Sequence, residues 1–456
     1  MEELRSSPTP IKRLKVLHDI ESTASGNDRI PFLPESIMLN ILSYLPTKYL
    51  LQTSVLSKSF RELWTIIPRL DFDEDLFKMH RVKNKKKIQN PKFENFVSKV
   101  MRLLQDGAYD VDRFRLSWSH CDMSLVNQWI DVLGNKNLKE LDLDLRRNES
   151  AEKIRYPITL PLCMFNSDSL VSLKLKLQNC ELFMLPTSIC LNKLKILHLE
   201  GVRFSGDDAV QKLLVGCPIL ETLVMVGCHI YNEKVVDISV PSLRNFTMRH
   251  IYLRSDSRIK ISNLNLLVFN YTVMECNMKN NSIDRLSSLM DAYIEVLLQP
   301  GGSCSIKKIL SNALDFLDSL PSFENLNKLM LTSLRQRDYF QVIAYLLQSA
   351  PSLESLVIDL VDLPCIGVVP KEEGQAVSTE FLCLETLVLN HLKEVKISSF
   401  RGIEVELEFL KLILRKANAF QKLTVIEMND SKKRMEIKLT MSMLEKASAS
   451  CTISVL

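Results

Sequence analysis

Glycine is scarce, 12 residues in 456, and no stretch reads Gly-x-x-x-x-Gly-Lys-Ser/Thr or Gly-x-Gly-x-x-Gly, which excludes the usual phosphate-cradling loops. The 11 cysteines are odd in number and form no Cys-x-x-Cys pair. They are expected to be buried reduced thiols, with neither a disulfide nor a zinc framework. No His-Glu-x-x-His or Gly-x-Ser-x-Gly motif occurs and the 7 histidines lie far apart, so no catalytic residue, metal or cofactor is expected. His198 and His229 read as surface imidazoles. An excess of one charge is missing too: 58 Lys and Arg stand against 54 Asp and Glu, a formal +4 that is too balanced for wholesale nucleic-acid or membrane binding. No apolar run approaches the roughly 18 residues of a membrane-spanning helix. The first 15 residues lack the apolar segment of a secretory leader. A soluble protein of the nucleus, the cytoplasm or both is expected.

What is abundant is leucine, about one residue in six. The pattern Leu-x-x-Leu-x-Leu, or a close apolar variant, begins at Leu138, Leu170, Leu194, Leu220, Leu243, Leu264, Leu289, Leu326, Leu353 and Leu384, at spacings of 21 to 37 residues. That is mostly in or near the range of leucine-rich repeats. Each x-Leu-x-Leu-x is read as a strand whose leucines enter a shared core, with a helix or irregular arm as the return path. Val210–Leu214 and Phe340–Leu347 have helical spacing. Cys228 fills the turn position that Asn or Cys takes in such repeats. Residues 283–297 also fit a helical period, and the longest spacing implies an inserted element around 306–317. One repeat cannot bury its own leucines, so a stack is the stable unit.

The chain divides into a disordered tail (1–27), a compact helical module (28–74), a basic linker (75–91), degenerate repeats (92–380) and a C-terminal region (381–456). The Lys runs at 11–15 and 83–87 lack interleaved aromatics and read as solvated loops, so neither nucleic acid nor a membrane is expected as a partner. In the helical module Pro34 suits a helix start, Ile37, Ile41 and Leu45 recur at helical spacing, and Pro46 stops the helix. Leu50, Leu51, Val55 and Leu56 supply a second apolar face, and Phe60, Leu63, Trp64 and Ile67 a third. Three short helices cannot enclose that much apolar surface, so a partner is expected to cover the excess.

Residues 28–73 resemble a plant-type F-box, beginning Asp28-Arg-Ile and continuing through Leu33-Pro-Glu35, Leu45-Pro-Thr-Lys48, Thr53-Ser-Val-Leu-Ser-Lys58 and Leu63-Trp64 to Leu70-Asp-Phe-Asp73. Where that family usually has Arg-Trp after Ser-Lys, this chain has Ser59-Phe60, and Phe60 is expected to keep the core. Phe93-Glu-Asn-Phe-Val97 resembles the joint between F-box and repeats, and Phe381 to Val425 the FBD region that ends many F-box/LRR-repeat proteins. The resemblance implies an α/β chain: a small three-helix F-box followed by a leucine-rich-repeat solenoid with an FBD-like C-terminal cap. It further implies a non-catalytic substrate-recognition subunit of an SCF-type ubiquitin ligase. The F-box would dock on a Skp-family adaptor, and through it on cullin and RING subunits, through Leu33, Pro34, Ile41, Leu45, Pro46, Leu51, Val55, Leu56, Leu63 and Trp64. A repeat scaffold working without a ligase, or a receptor for a small signal molecule, are the alternatives.

Alternation along each strand sends the residues between the leucines to the concave face, where a target protein would sit. Asp142, Asp144, Lys174, Lys176, His198, Glu200, Thr247, Arg249, Asn270, Tyr293, Lys328 and Asp359 are the candidates, with Glu140, Val224, Glu295, Met330 and Val357 on the same face. Mixed charge suits a protein better than a polyanion. Towards the C-terminus a strand at Val395–Ile397, a helix from Glu404 to Leu414, a strand at Leu423–Ile426, a helix-like segment at Met441–Lys446 and a closing stretch from Thr452 are expected. Glu404, Glu406, Glu408 and Lys411 are expected to face solvent.

Overall fold

The computed structural model describes residues 34–55, 64, 66–77, 90–107, 110–119, 121–146, 157–254, 256–274, 282–284, 286–297, 322–332, 339–360, 389–427, 439, 448 and 451–456. They fall into two units, one of residues 1–154 with 160–175 and one of residues 155–159 with 176–456.

In the first unit, α1 (Glu35–Ser43) and α2 (Thr47–Thr53) begin after Pro34 and Pro46, whose fixed φ and missing N–H suit a helix start. Of the third expected helix Trp64, Ile66 and Ile67 are described, the first two of them helical. Then come β1 (Arg69–Asp73), α3 (Pro91–Asp106), β2 (Arg113–Ser119), α4 (Met123–Leu133), β3 (Glu140–Arg146), α5 (Leu162–Phe165) and the start of β4 (Ser172–Met184). Side-chain oxygens start both long helices: Asn90 accepts from Phe93 N–H and Asp122 from Ser124 N–H. The strands β1, β2 and β3 pair in parallel, Arg69 opposite Arg113 and Arg113 opposite Glu140. Leu70, Phe114 and Leu141 thereby form one buried row, and Phe72, Leu116 and Leu143 the next. Aromatic contacts tie α3 and α4 to these strands: Trp118 stacks on Trp129 at 5.2 Å and meets Phe93 edge-on at 5.8 Å. The strand series therefore starts inside residues 28–74. Its second member, Val111-x-x-Phe114-x-Leu116, is a repeat that a search for leucine passes over. Helix α2 is fastened to β1 and to the turn after it, because buried Thr47 accepts the Asp71 N–H at 2.8 Å and Lys48 donates to the Leu76 carbonyl at 2.6 Å.

The second unit continues with β5 (Ile196–Ser205), α6 (Ala209–Val215), β6 (Thr222–Val226), β7 (His229–Ile230), β8 (Val235–Ile238), β9 (Asn245–Arg249), β10 (Tyr252–Leu253), β11 (Arg258–Ser262), β12 (Val268–Met274) and β13 (Ser282–Asp284). It ends with β14 (Asp291–Leu297), β15 (Lys328–Thr332), α7 (Tyr339–Ser349), β16 (Ser355–Asp359), β17 (Glu394–Phe400), α8 (Glu404–Lys416), β18 (Lys422–Glu427) and β19 (Thr452–Val455). One parallel series runs β5, β6, β9, β12, then β14 to β19 in chain order. Leu197, Leu223, Phe246, Phe269, Ala292, Leu329, Leu356, Val395 and Leu423 form one buried row of it. Cys228 is buried as well, its Sγ donating to the Leu199 carbonyl at 3.5 Å. His229 is half-buried rather than a free surface imidazole, stacked on Tyr252 at 4.4 Å.

Four expectations need correction or completion. The sixth motif is framed two residues too early: Leu264 is exposed, and Leu266-x-x-Phe269-x-Tyr271 carries the buried positions. Some return arms are neither helical nor irregular, since β8, β11 and β13 form a second parallel sheet of three strands. Their Val-Val-Asp-Ile and Arg-Ile-Lys-Ile segments alternate with period two, as a half-buried strand must. Residues 291–297 are the strand β14 and not a helix. Glu406 does not face solvent: it is buried, and its carboxylate accepts the N–H groups of Arg401 and Gly402 at 2.9 and 2.8 Å. Residues 306–317, 384–388 and 441–446 lie outside the described residues.

Two stability predictions arise here. Gly201 has φ +65°, and a Cβ there would stand 1.9 Å from the Leu177 carbonyl oxygen. Gly201→Ala should cost at least about 1–3 kcal/mol from the left-handed backbone alone, read as a lower urea midpoint. An unchanged midpoint would contradict the close approach. Burial raises the carboxyls of Glu406 and Glu233 above their ordinary 4.5. The folded chain therefore holds these protons more tightly than the unfolded one, so their contribution to stability is greatest below the ordinary value and is lost as pH rises through the raised ones. Glu406→Gln should flatten the stability profile on the alkaline side of the ordinary carboxylate value, where the raised Glu406 loses its proton. The same slope in the variant would count against it.

Candidate interaction surfaces

The two N-terminal helices divide their apolar residues between two faces. Leu42, Leu50 and Ile67 form a buried cluster, against which Met38, Leu39, Leu45, Trp64 and Ile66 pack. On the other side of α1 a strip is left open: Ile37 is 46 % exposed, Ile41 54 % and Tyr44 78 %, with Val55 beyond α2 at 86 %. Residues 37, 41 and 44 share a helical face because they are spaced by four and three. Of the residues expected to meet an adaptor, Pro34, Ile41 and Val55 are exposed. Leu45, Pro46, Leu51 and Trp64 are half-buried. Leu33, Leu56 and Leu63 lie outside the described residues. Tyr44 was missed, although its spacing from Ile41 is the signal that finds it.

The strand face opposite the buried rows carries the other candidates. In the first unit Arg115 is held by Asp71 at 2.7 Å and Asp73 at 3.5 Å. Its half-burial pulls the guanidinium pKa down, but the hydrogen bond and charge of Asp71, then the charges of Asp73 and Asp142, outweigh this and raise it. Asp142 and Asp144 stand on β3 in the rows of Arg115 and Ser117, and Lys174 is exposed on β4.

In the second unit Lys176 pairs with Glu200 at 2.7 Å, and His198 lies 3.9 Å from the same carboxylate. Asn270 donates to Thr247 at 3.0 Å. Arg249 lies over the Tyr293 ring, 5.0 Å from its centroid, and reaches Glu295 at 3.4 Å. Lys328 and Asp359 share this face at the start of β15 and the end of β16, and neither joins these groupings. Glu295 departs from the open position expected of it: Thr272 donates to it at 2.8 Å and His250 stands 3.7 Å away. His250 and Thr272 are the members that sequence reading missed. Thr272 is legible as the next outward residue after Asn270, whereas His250, in a loop at φ +52°, has no periodic signal.

Comparison with known proteins covers both regions. The F-box domain family matches residues 30–71, a family described as "FBD-associated F-box protein At5g56370, LRR repeats" matches 126–290, and the FBD family matches 386–425. Among curated Arabidopsis thaliana proteins, "F-box/FBD/LRR-repeat protein At3g52680" is 34 % identical over 223 residues, 49 % of this chain and 46 % of that one. The chain thus matches about half of that relative's length. "Probable FBD-associated F-box protein At1g32375" is 24 % identical across 94 % of this chain and 99 % of its own length. "F-box/FBD/LRR-repeat protein At3g26920" is 28 % identical across 94 % and 96 %.

Proposed function

We propose that this chain, which belongs to the F-box proteins that combine leucine-rich repeats with an FBD region, is the substrate-recognition subunit of an SCF-type cullin-RING ubiquitin ligase. The observation that carries the reading is the Ile37-Ile41-Tyr44 strip, open to solvent on a helix whose opposite face is already packed. Contiguous apolar surface of this kind on a small module marks a protein interface. A Skp-family adaptor would cover it, and Leu33, Pro34, Leu45, Pro46, Leu51, Val55, Leu56, Leu63 and Trp64 would complete the contact. Ligase chemistry belongs to the cullin and RING partners, and this chain contributes no catalytic residue.

The repeats would form a solenoid that follows a three-helix F-box along the chain, with residues 381–456 as its cap. Its concave face, from Asp142 and Lys174 to Tyr293 and Asp359, would hold the target protein, in the nucleus, the cytoplasm or both. Support comes from the mixed charge and the Arg and Tyr side chains there, the residue types that dominate protein interfaces. Co-expression with a Skp-family adaptor and a cullin tests the assignment. A stable ternary complex in size-exclusion chromatography is expected. A full-length chain that elutes apart from the adaptor would favour a repeat scaffold working without a ligase.

A further inference from the structure

We propose that Arg249, seated on Tyr293 and positioned by Glu295, reads an acidic side chain flanked by apolar residues in the target protein; this rests on the reading of the strand face as the target-binding surface. The rows of His198 and Glu200 continue across β6, β9, β12, β14 and β15. Of the described residues in those two continuations, the sole cation is Arg249 and the sole acid Glu295. The two are not equally available. The Glu295 side chain is 11 % exposed and occupied by Thr272, Arg249 and His250, whereas that of Arg249 is 37 % exposed. The charge presented outward is therefore positive.

That charge is also held in place. The guanidinium lies over the Tyr293 ring, and the Tyr293 hydroxyl shares a hydrogen bond with Thr332 at 3.0 Å, which fixes the ring under it. The Nε of Arg249 is buried without a hydrogen-bond partner, while the contact to Glu295 engages Nη2 and is long at 3.4 Å, so donor capacity is left over on the terminal nitrogens. A carboxylate laid against the guanidinium would form charge-assisted bonds that a lysine could not match in geometry. Val224 and Met330, uncharged and on the same outward row, would take the apolar neighbours of that acid. A single fixed cation whose one acidic neighbour, Glu295, is buried behind it suits one acidic side chain in an apolar context, and not a polyanion, which needs several cations in a track.

The test is a random-peptide display selection on the full-length chain bound to its adaptor, followed by fluorescence-polarisation affinities of the selected peptides. Peptides with Asp or Glu beside apolar residues are expected. Arg249→Ala should weaken them roughly tenfold or more, and Arg249→Lys, which keeps the charge, should weaken them less. Glu295→Gln separates positioning from bulk charge: if Glu295 orients Arg249 the affinity falls, and if it merely repels acids the affinity rises. A rise overturns the positioning role. Peptides that respond to His198→Ala or Val357→Asp but not to Arg249→Ala overturn the inference and leave the face as the target surface. A selection in which no peptide responds to any of these changes overturns both. Urea midpoints of each variant show that the chain is folded in every comparison.

Discussion

Leu223→Ala should remove roughly 3–5 kcal/mol of stability, a large share of the about 5–15 kcal/mol that a folded domain possesses. Leu223 is fully buried, between Leu197 of β5 and Phe246 of β9 in one row of the strand series. Removing its isobutyl group loses the transfer free energy and opens a cavity that a parallel strand, bonded on both sides, cannot close by shifting. His198→Ala, one residue along from Leu197 on the opposite face, should change stability by about 0.5 kcal/mol or less. Urea titration gives both numbers, and hydrogen exchange adds where the loss is felt. In a repeat stack each unit is held by its neighbours, so amides of β5 and β9 should open before those of β17. Comparable losses from the two substitutions would mean that the strands are one residue out of phase, because a slip of one exchanges the two faces.

That phase was legible because the alternation is local. Every second residue of a strand points the same way, so Leu-x-Leu fixes a frame without knowledge of the neighbours. The start of a repeat was less legible than its phase, because two frames two residues apart share a face. Around Leu264-Asn-Leu266 both leucines fit, and the choice depends on the Asn263 side chain, which turns the chain by binding the Val240 and Leu243 carbonyls and the Asn265 N–H. Charge failed differently. Glu406 reads with Glu404, Glu408 and Lys411 as part of a charged outer side, yet it is drawn inward by two N–H groups at the turn after β17, a need that belongs to the backbone and leaves no mark on the spacing. Glu295 lies on the face that alternation assigns it, but its burial depends on Arg249, 46 residues away. Face was readable from period, while partners had to come from register.

Ile41→Ala combined with Tyr44→Ala should reduce adaptor affinity by several hundred-fold while leaving the chain as stable as before. Each exposed anchor at the centre of a desolvated interface is worth about 2 kcal/mol, and about 4 kcal/mol together is close to three decades in the dissociation constant. The fold should not notice, because both side chains are more than half exposed and the inner cluster of Leu42, Leu50 and Ile67 does not contain them. Leu42→Ala is the contrasting variant. It should lower the thermal midpoint of the helical module and weaken adaptor capture only as a consequence. The separation rests on α1 having two apolar faces: Met38 and Leu42 point to the cluster, while Ile37, Ile41 and Tyr44 point away from it. Titration calorimetry of the full-length chain against the adaptor, paired with urea midpoints, distinguishes the two kinds of loss. An Ile41→Ala/Tyr44→Ala chain that binds the adaptor at wild-type affinity would show that the open strip on α1 faces something other than the adaptor.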